Sequence, residues 1–271
     1  MTLCIAGKNQ IAVDVLDAVV QRYGRQALVA VANRTDDGCD GWQPSFRRHA
    51  TAVGVALHAL DDLYAIPDLT LLSLEFDRIV RPARFARPEA LYNLHFSLLP
   101  RYRGMYTAVW PVLHGDAEAG VTLHAIDAGI DTGDIVAQRA FPLTPALTAR
   151  DVYLACLAAG RDLLVAHLDG LVGGTLARTP QGAAHASYFA KASLDFARLE
   201  APQGATAWQL QRFVHAFAFR EYQLAQVAGF ASARAVITET RSTRPSGEVV
   251  ARGADWLVVA TMDFDVRLES A

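Results

Sequence analysis

Long apolar runs are missing from this 271-residue sequence. Nothing in it approaches the ~18 consecutive apolar residues of a membrane-spanning helix, so no membrane partner is expected. The opening MTLCIAG has no basic segment ahead of its apolar residues, which argues against a cleaved signal peptide and for a cytoplasmic location. Cysteine is scarce. Cys4, Cys39 and Cys156 are odd in number and form no CxxC pair, which excludes a disulfide framework and a paired-thiol metal site. Charge of one sign is also lacking: 25 Lys plus Arg stand against 28 Asp plus Glu, a net of −3, so no general attraction for nucleic acid or anionic lipid exists. Only Lys8 and Lys191 are lysine, which makes a lysine in a loop more notable. The glycine-rich phosphate loops are missing too: the first loop reads GKNQ, neither GxGxxG nor GxxxxGK[ST], and a nucleotide-cofactor dehydrogenase is disfavoured. At 52% hydrophobic residues, disorder is excluded and the core is ample for one large domain with a smaller one attached.

What is present alternates. Residues 3–6, 27–32 and 69–74 are short apolar strands, and helical spacing follows the first of them at Ile11, Val15, Ala18 and Val19, with another helix expected at 45–55. This pattern predicts an α/β fold with a mostly parallel sheet and helices on both faces, its site beyond the strand C-termini. The longest helix is expected over 148–169, capped by Thr148, with Val152, Leu157, Leu164 and Leu168 on one face. The expected division is a catalytic domain at 1–180, a linker at 181–200 and a small α+β domain at 201–271. In that last part we expect a helix at 206–217 and strands at 233–238 and 256–262, with a Pro-Ser-Gly turn between the strands.

Chemistry concentrates in residues 91–134, LYNLHFSLLPRYRGMYTAVWPVLHGDAEAGVTLHAIDAGIDTGD. Asn93 and His95 are two apart and share one face of an extended segment, while Leu94 and Phe96 point into packing. Residues 121–126 alternate as a strand, and 127–134 place three carboxylates among two glycines in a tight loop. Those carboxylates lack the alternating spacing and closing glutamate of a calcium loop, so no metal is expected. His114 and His124 are read as structural, His124 because it alternates away from the site face. Taken singly, Asn93 could be a turn former, His95 a half-buried imidazole and Asp131 a cap.

Together, NxHxSLLPxxRG followed by GVTLHxIDxGIDTGD resembles the folate-dependent formyltransferases, a family acting on methionyl-tRNA, glycinamide ribonucleotide and sugar amines. The pieces GKNQIAV, LSLEFD, HFSLLPRYRGMYTAVWP and AFREYQL look most like the nucleotide-linked sugar N-formyltransferases. Met105-Tyr106 stands where the tRNA enzymes typically have small residues and proline. The resemblance implies a Rossmann-like catalytic domain, 10-formyltetrahydrofolate as donor, a nucleotide-linked amino-sugar acceptor, and a triad at Asn93, His95 and Asp131; a homodimer is expected from the apolar strands of the tail, which offer an interface.

The residue types suit that chemistry. Asn93 can donate to a developing oxyanion without titrating, and His95 can accept the amine proton. Asp131 can orient the imidazole, favour its charged form or hold a relay water. The folate is expected against Leu74, Glu75, Phe76, Asp77 and Asp127, and the acceptor against Lys8, Asn9, Met105, Tyr106, Glu221 and Tyr222. Alternatives are a methionyl-tRNA formyltransferase and a non-catalytic homologue that binds folate or a nucleotide sugar.

Overall fold

The structure is a computed structural model that describes residues 2–196 and 199–271. The first half alternates as expected: β1 (Thr2–Gly7), α1 (Asn9–Tyr23), β2 (Leu28–Ala32), α2 (Phe46–Ala52), β3 (Ala56–Leu57), β4 (Leu69–Leu74) and β5 (Leu91–His95). Next come β6 (Arg103–Gly104), α3 (Trp110–His114), β7 (Glu118–Ala125), β8 (Ile135–Pro142), α4 (Ala149–Gly173) and β9 (Tyr188–Phe189). The chain ends with α5 (Ala207–Ala216), β10 (Ala225–Val227), β11 (Phe230–Ser232), β12 (Arg234–Arg241), β13 (Val249–Arg252), β14 (Trp256–Val259) and β15 (Phe264–Glu269).

Seven strands form one sheet in the order β3-β2-β1-β4-β5-β7-β8. The β2–β3, β1–β2, β1–β4 and β4–β5 pairs are parallel, and β5–β7 is antiparallel. All six residues of β4 and five of six in β1 are buried, the pattern of parallel strands covered on both faces. The chain winds from β1 toward β3 and then returns to the other side of β1 at β4, so the switch point lies between the C-terminal ends of β1 and β4. Gly160 lets α4 approach the sheet closely, because a Cβ there would stand 2.6 Å from Leu94 Cδ2. Leu94 is thereby committed to packing, and its neighbours Asn93 and His95 are left to the opposite face.

Local signals explain most boundaries. Ser45 accepts the Arg48 N–H and caps α2. Thr148 and Asp151 cap α4 reciprocally, Asp151 Oδ2 accepting the Thr148 N–H at 2.9 Å. Val152, Leu157, Leu164 and Leu168 are all buried. Cys4 and Cys156 are buried, and burial pushes both thiols up, whereas Cys39 is exposed. No helix among the described residues is long and apolar enough to cross a membrane.

The chain divides into two compact units that interleave rather than follow one another. The first comprises 1–104, 120–141 and 155–188, and the second 105–119, 142–154 and 189–271. The expected 1–180, 181–200 and 201–271 divide the chain serially, whereas these contacts assign 105–119 and 142–154 to the later unit. Strands β8 and β13 were not expected. The Pro-Ser-Gly turn is present, with Glu248 N–H donating to Pro245 at 3.1 Å, and it leads into β13 before β14. The second unit carries the antiparallel sheet β12-β15-β14-β13.

In that unit His215 is buried between two elements, its Nδ1 2.9 Å from the Pro145 carbonyl and its Nε2 3.1 Å from the Ala235 N–H. Since one partner only accepts and the other only donates, the ring is held neutral with the proton on Nδ1. Burial, reinforced by Arg234, pushes its pKa below the ordinary histidine value. An unfolded chain then takes up a proton that the folded chain resists. Stability is fully present above about pH 6.5 and is lost as pH falls from there toward the lower folded value. His95 acts in the same sense. Denaturant midpoints should therefore fall between pH 7 and 5.5, with a shallower slope in His215→Gln; equal slopes would contradict the assignment.

Candidate active site

Strand β5 ends at the sheet's C-terminal edge and delivers Asn93 and His95 on one face. Its antiparallel neighbour β7 sets His124 opposite Asn93 and Thr122 opposite His95. Directly opposed residues in an antiparallel pair share a face, so His124 joins the site face. This corrects the expectation that it alternates away, which followed β7 alone without its register against β5. Asp131 arrives from the loop 127–134 with φ 54°, a left-handed conformation that Asp tolerates better than most residues.

The loop is held from several sides. Asp127 accepts the Gly129 N–H at 3.0 Å and the Thr132 hydroxyl at 2.7 Å, so it serves the turn itself. Gln181 Nε2 donates to the carbonyls of Asp131 (2.9 Å) and Gly133 (2.7 Å), while its Oε1 accepts Arg103 Nη2 at 2.7 Å. Sequence reasoning placed Gln181 in a linker and missed this clamp, since nothing local marks a glutamine as reaching 50 residues back. Gly133 has no room for a side chain: a Cβ would lie 1.9 Å from the Ala125 carbonyl oxygen, which is backbone and cannot swing away. Gly133→Ala should destabilise the fold by about 1–3 kcal/mol or more and displace Asp131. Thermal melts read the first effect and turnover the second; a wild-type melting temperature would refute it.

The structure brings Asn93, His95 and Asp131 together. His95 Nδ1 is 3.5 Å from Asp131 Oδ2, and Asn93 Nδ2 is 3.5 Å from Asp131 Oδ1. Asp131 Oδ2 also accepts the Gly104 N–H at 2.9 Å. His95 Nε2 lies 2.8 Å from the Tyr102 carbonyl, which can only accept, so Nε2 carries the ring proton and Nδ1 holds the lone pair. Tyr102 itself has φ 59°, a left-handed backbone that aims this carbonyl. Burial pushes the His95 pKa down, only partly offset by Asp131, so the imidazole is neutral at pH 7. Burial opposes ionisation of Asp131, but the His95 ring, first among the opposing causes, and the Gly104 N–H help outweigh it and hold its pKa at about 2. The arrangement is a standing carboxylate beside a neutral base and an amide donor.

The remaining expected residues fall into two places. At the switch point, Asn9 (φ 62°) donates to Glu75 Oε2 at 3.1 Å, and Glu75 itself has φ 52°. Asn33, fully buried and overlooked in the sequence, donates to the Glu75 carbonyl at 2.9 Å and accepts the Asp77 N–H at 3.2 Å. Lys8 caps α1 with its N–H on the Leu74 carbonyl, and the Leu74 side chain is wholly in the core. Phe76 is half-buried, with the Arg78 guanidinium 5.5 Å from its ring centroid.

Met105, Tyr106, Glu221 and Tyr222 lie in the second unit. Met105 is exposed and its carbonyl accepts Trp110 Nε1–H; the Tyr106 ring meets Phe196 edge-on. Glu221 is taken by Arg150, whose Nε lies 2.9 Å from both carboxylate oxygens, and Tyr222 is exposed against Phe219.

An amide, an imidazole and a carboxylate thus converge at the C-terminal edge of an α/β sheet, where known proteins offer a comparison. The formyl transferase family profile matches residues 63–168. A methionyl-tRNA formyltransferase of Halorhodospira halophila is 32% identical over 276 residues, covering 96% of this chain and 87% of that protein. The chain belongs to the formyl transferase family. Among solved structures, WlaRD, a sugar 3N-formyl transferase crystallised in the presence of dTDP and 5-N-formyl-THF, superposes with a TM-score of 0.92 at 30% identity over 99% of this chain and 97% of that one. An N-formyltransferase of Helicobacter canadensis, in complex with folinic acid and dTDP-3-aminofucose, gives 0.92 at 31% identity over the whole of both chains.

Proposed function

We propose that the protein transfers a formyl group from 10-formyltetrahydrofolate to the amine of a nucleotide-linked amino sugar, with a dTDP-linked amino-dideoxyhexose as the first acceptor to try. The observation that carries this reading is the TM-score of 0.92, over essentially the full length of both chains, with two proteins solved beside dTDP or a dTDP-sugar. A methionyl-tRNA acceptor fits less well. Residues 201–271 hold seven Arg and no Lys against seven Asp plus Glu, whereas a surface gripping tRNA needs a basic excess.

The residues present fit the donor. Arg78 Nε is a buried donor with no hydrogen-bond partner among the described residues, next to the Phe76 ring, and so offers an N–H and an aromatic face to a planar heterocycle. Segment 74–78 and the loop 127–131 would hold the folate, which when bound supplies the electrophilic formyl carbon.

As the amine adds, negative charge grows on the formyl oxygen, and Asn93 donates an N–H to it. His95 accepts the amine proton at Nδ1, the nitrogen with the lone pair. The resulting Nδ1–H lies 3.5 Å from Asp131 Oδ2, near enough for an existing carboxylate to stabilise the imidazolium without moving a charge of its own. Tyr102 keeps the ring from rotating through this step. His95 then returns the proton to the departing nitrogen. Within the same reading the enzyme is a cytoplasmic homodimer serving surface-polysaccharide (O-antigen or lipopolysaccharide) synthesis.

Incubation with 10-formyltetrahydrofolate and a panel of dTDP-, UDP- and GDP-amino sugars, read by mass, should show one acceptor gaining one formyl group. Formylation of charged initiator tRNA, with none of any sugar, would overturn the reading.

A further inference from the structure

We infer that His124 is a positioning residue for Asn93: its unprotonated Nε2 selects which way the Asn93 carboxamide faces. This inference rests on the formyl-transfer reading only for its kinetic consequence. His124 is buried on β7 directly opposite Asn93. Its Nδ1 lies 2.8 Å from the Ala125 carbonyl, which can only accept, so Nδ1 carries the proton and Nε2 the lone pair. That lone pair stands 3.1 Å from Asn93 Nδ2.

An asparagine amide has nearly the same shape when flipped, so packing alone does not choose its orientation. Here two acceptors do. With Oδ1 in place of Nδ2, the carbonyl would face the His124 lone pair and the Asp131 carboxylate, both as acceptors against an acceptor. With the NH₂ in that place, one N–H goes to His124. Asp131 Oδ1 is 3.5 Å from Asn93 Nδ2, beyond the ordinary 2.7–3.2 Å range of an N–H···O bond, and 3.5 Å from His124 Nε2, so it lies toward the side already facing His124 and leaves the second N–H to a third acceptor. That acceptor is the formyl oxygen. His124 thus supplies nothing to the reacting atoms; it turns a two-fold ambiguous side chain into a fixed donor.

The test pairs two buried substitutions. His124→Leu preserves bulk without an acceptor, and His124→Gln can put a carbonyl oxygen where Nε2 stands. His124→Leu should lower kcat about 30- to 100-fold with KM for both substrates within about threefold, and His124→Gln should recover most of that loss. Nitrogen-15 NMR of the unliganded protein gives the second readout: His124 as the Nδ1–H tautomer, with a coupling between its Nε2 and the Asn93 side-chain amide. Near wild-type kcat in His124→Leu, equal impairment of both variants, or an Nε2–H tautomer would overturn the inference. Should His124→Leu not fold, the glutamine variant and the NMR signature decide. Absence of formyl transfer in the wild type would overturn the proposed function, while the NMR result would still stand or fall separately.

Discussion

Asn93→Ala is expected to lower kcat about 10²–10³-fold while leaving KM for the acceptor within a few-fold. The asymmetry follows from when the interaction matters. A ground-state formyl oxygen is a modest acceptor, whereas the oxygen carrying developing charge is a strong one, so a fixed N–H lowers the barrier more than it tightens binding. Asn93 is fixed: its strand is locked between β4 and β7, and His124 Nε2 takes one of its amide hydrogens at 3.1 Å. Truncation to alanine removes the donor and leaves the strand intact. Steady-state kinetics at saturating donor, with both parameters reported, measure this. A rise in acceptor KM with unchanged kcat would assign Asn93 to substrate binding instead.

Asp131→Asn is expected to lower kcat about 10²–10⁴-fold and to move the acid limb of the kcat/KM profile to lower pH. The sign follows from the environment of His95. Burial depresses its pKa and the Asp131 charge partly restores it, so the wild-type limb should lie below the ordinary histidine value of about 6.5. A base works only while unprotonated, so activity is retained above that limb and lost as pH falls through it. Removal of the Asp131 charge takes away the restoring contribution and drops the His95 pKa further, which makes a base more often neutral but weaker. Asp131, at about 2, stays ionised across the whole range assayed and contributes no limb of its own. An unchanged limb with reduced kcat would mean that Asp131 acts only by orienting the ring.

The sequence carried the strands of the first unit because buried parallel strands are short apolar runs between glycines and polar turns; LTLLSL at 69–74 is β4 to the residue. It carried Asn93 and His95 because a period of two is enough to place both on one face. Asp131 came from the length of the combined motif, not from any local property. What escaped were relations between segments. His124 needed the β5–β7 register, Gln181 needed a tertiary contact across 50 residues, and Asn33 needed the adjacency of β2's end to the loop after β4. Strand β8 was hidden because none of its eight residues is buried and the polar Gln138-Arg139 pair breaks its apolar run. The interleaving of 105–119 and 142–154 with the later unit likewise has no trace in composition.

In the proposed reaction an amide donor and a neutral imidazole, with a carboxylate behind it, flank a single migrating one-carbon group. A crystal structure of the protein with a stable formylated folate analogue and an amino-sugar nucleotide would show whether they do. The formyl oxygen is expected at about 3 Å from Asn93 Nδ2 and the acceptor amine within reach of His95 Nδ1. A formyl group bound beyond hydrogen-bond distance of Asn93, or an amine on the far side from His95, would contradict it.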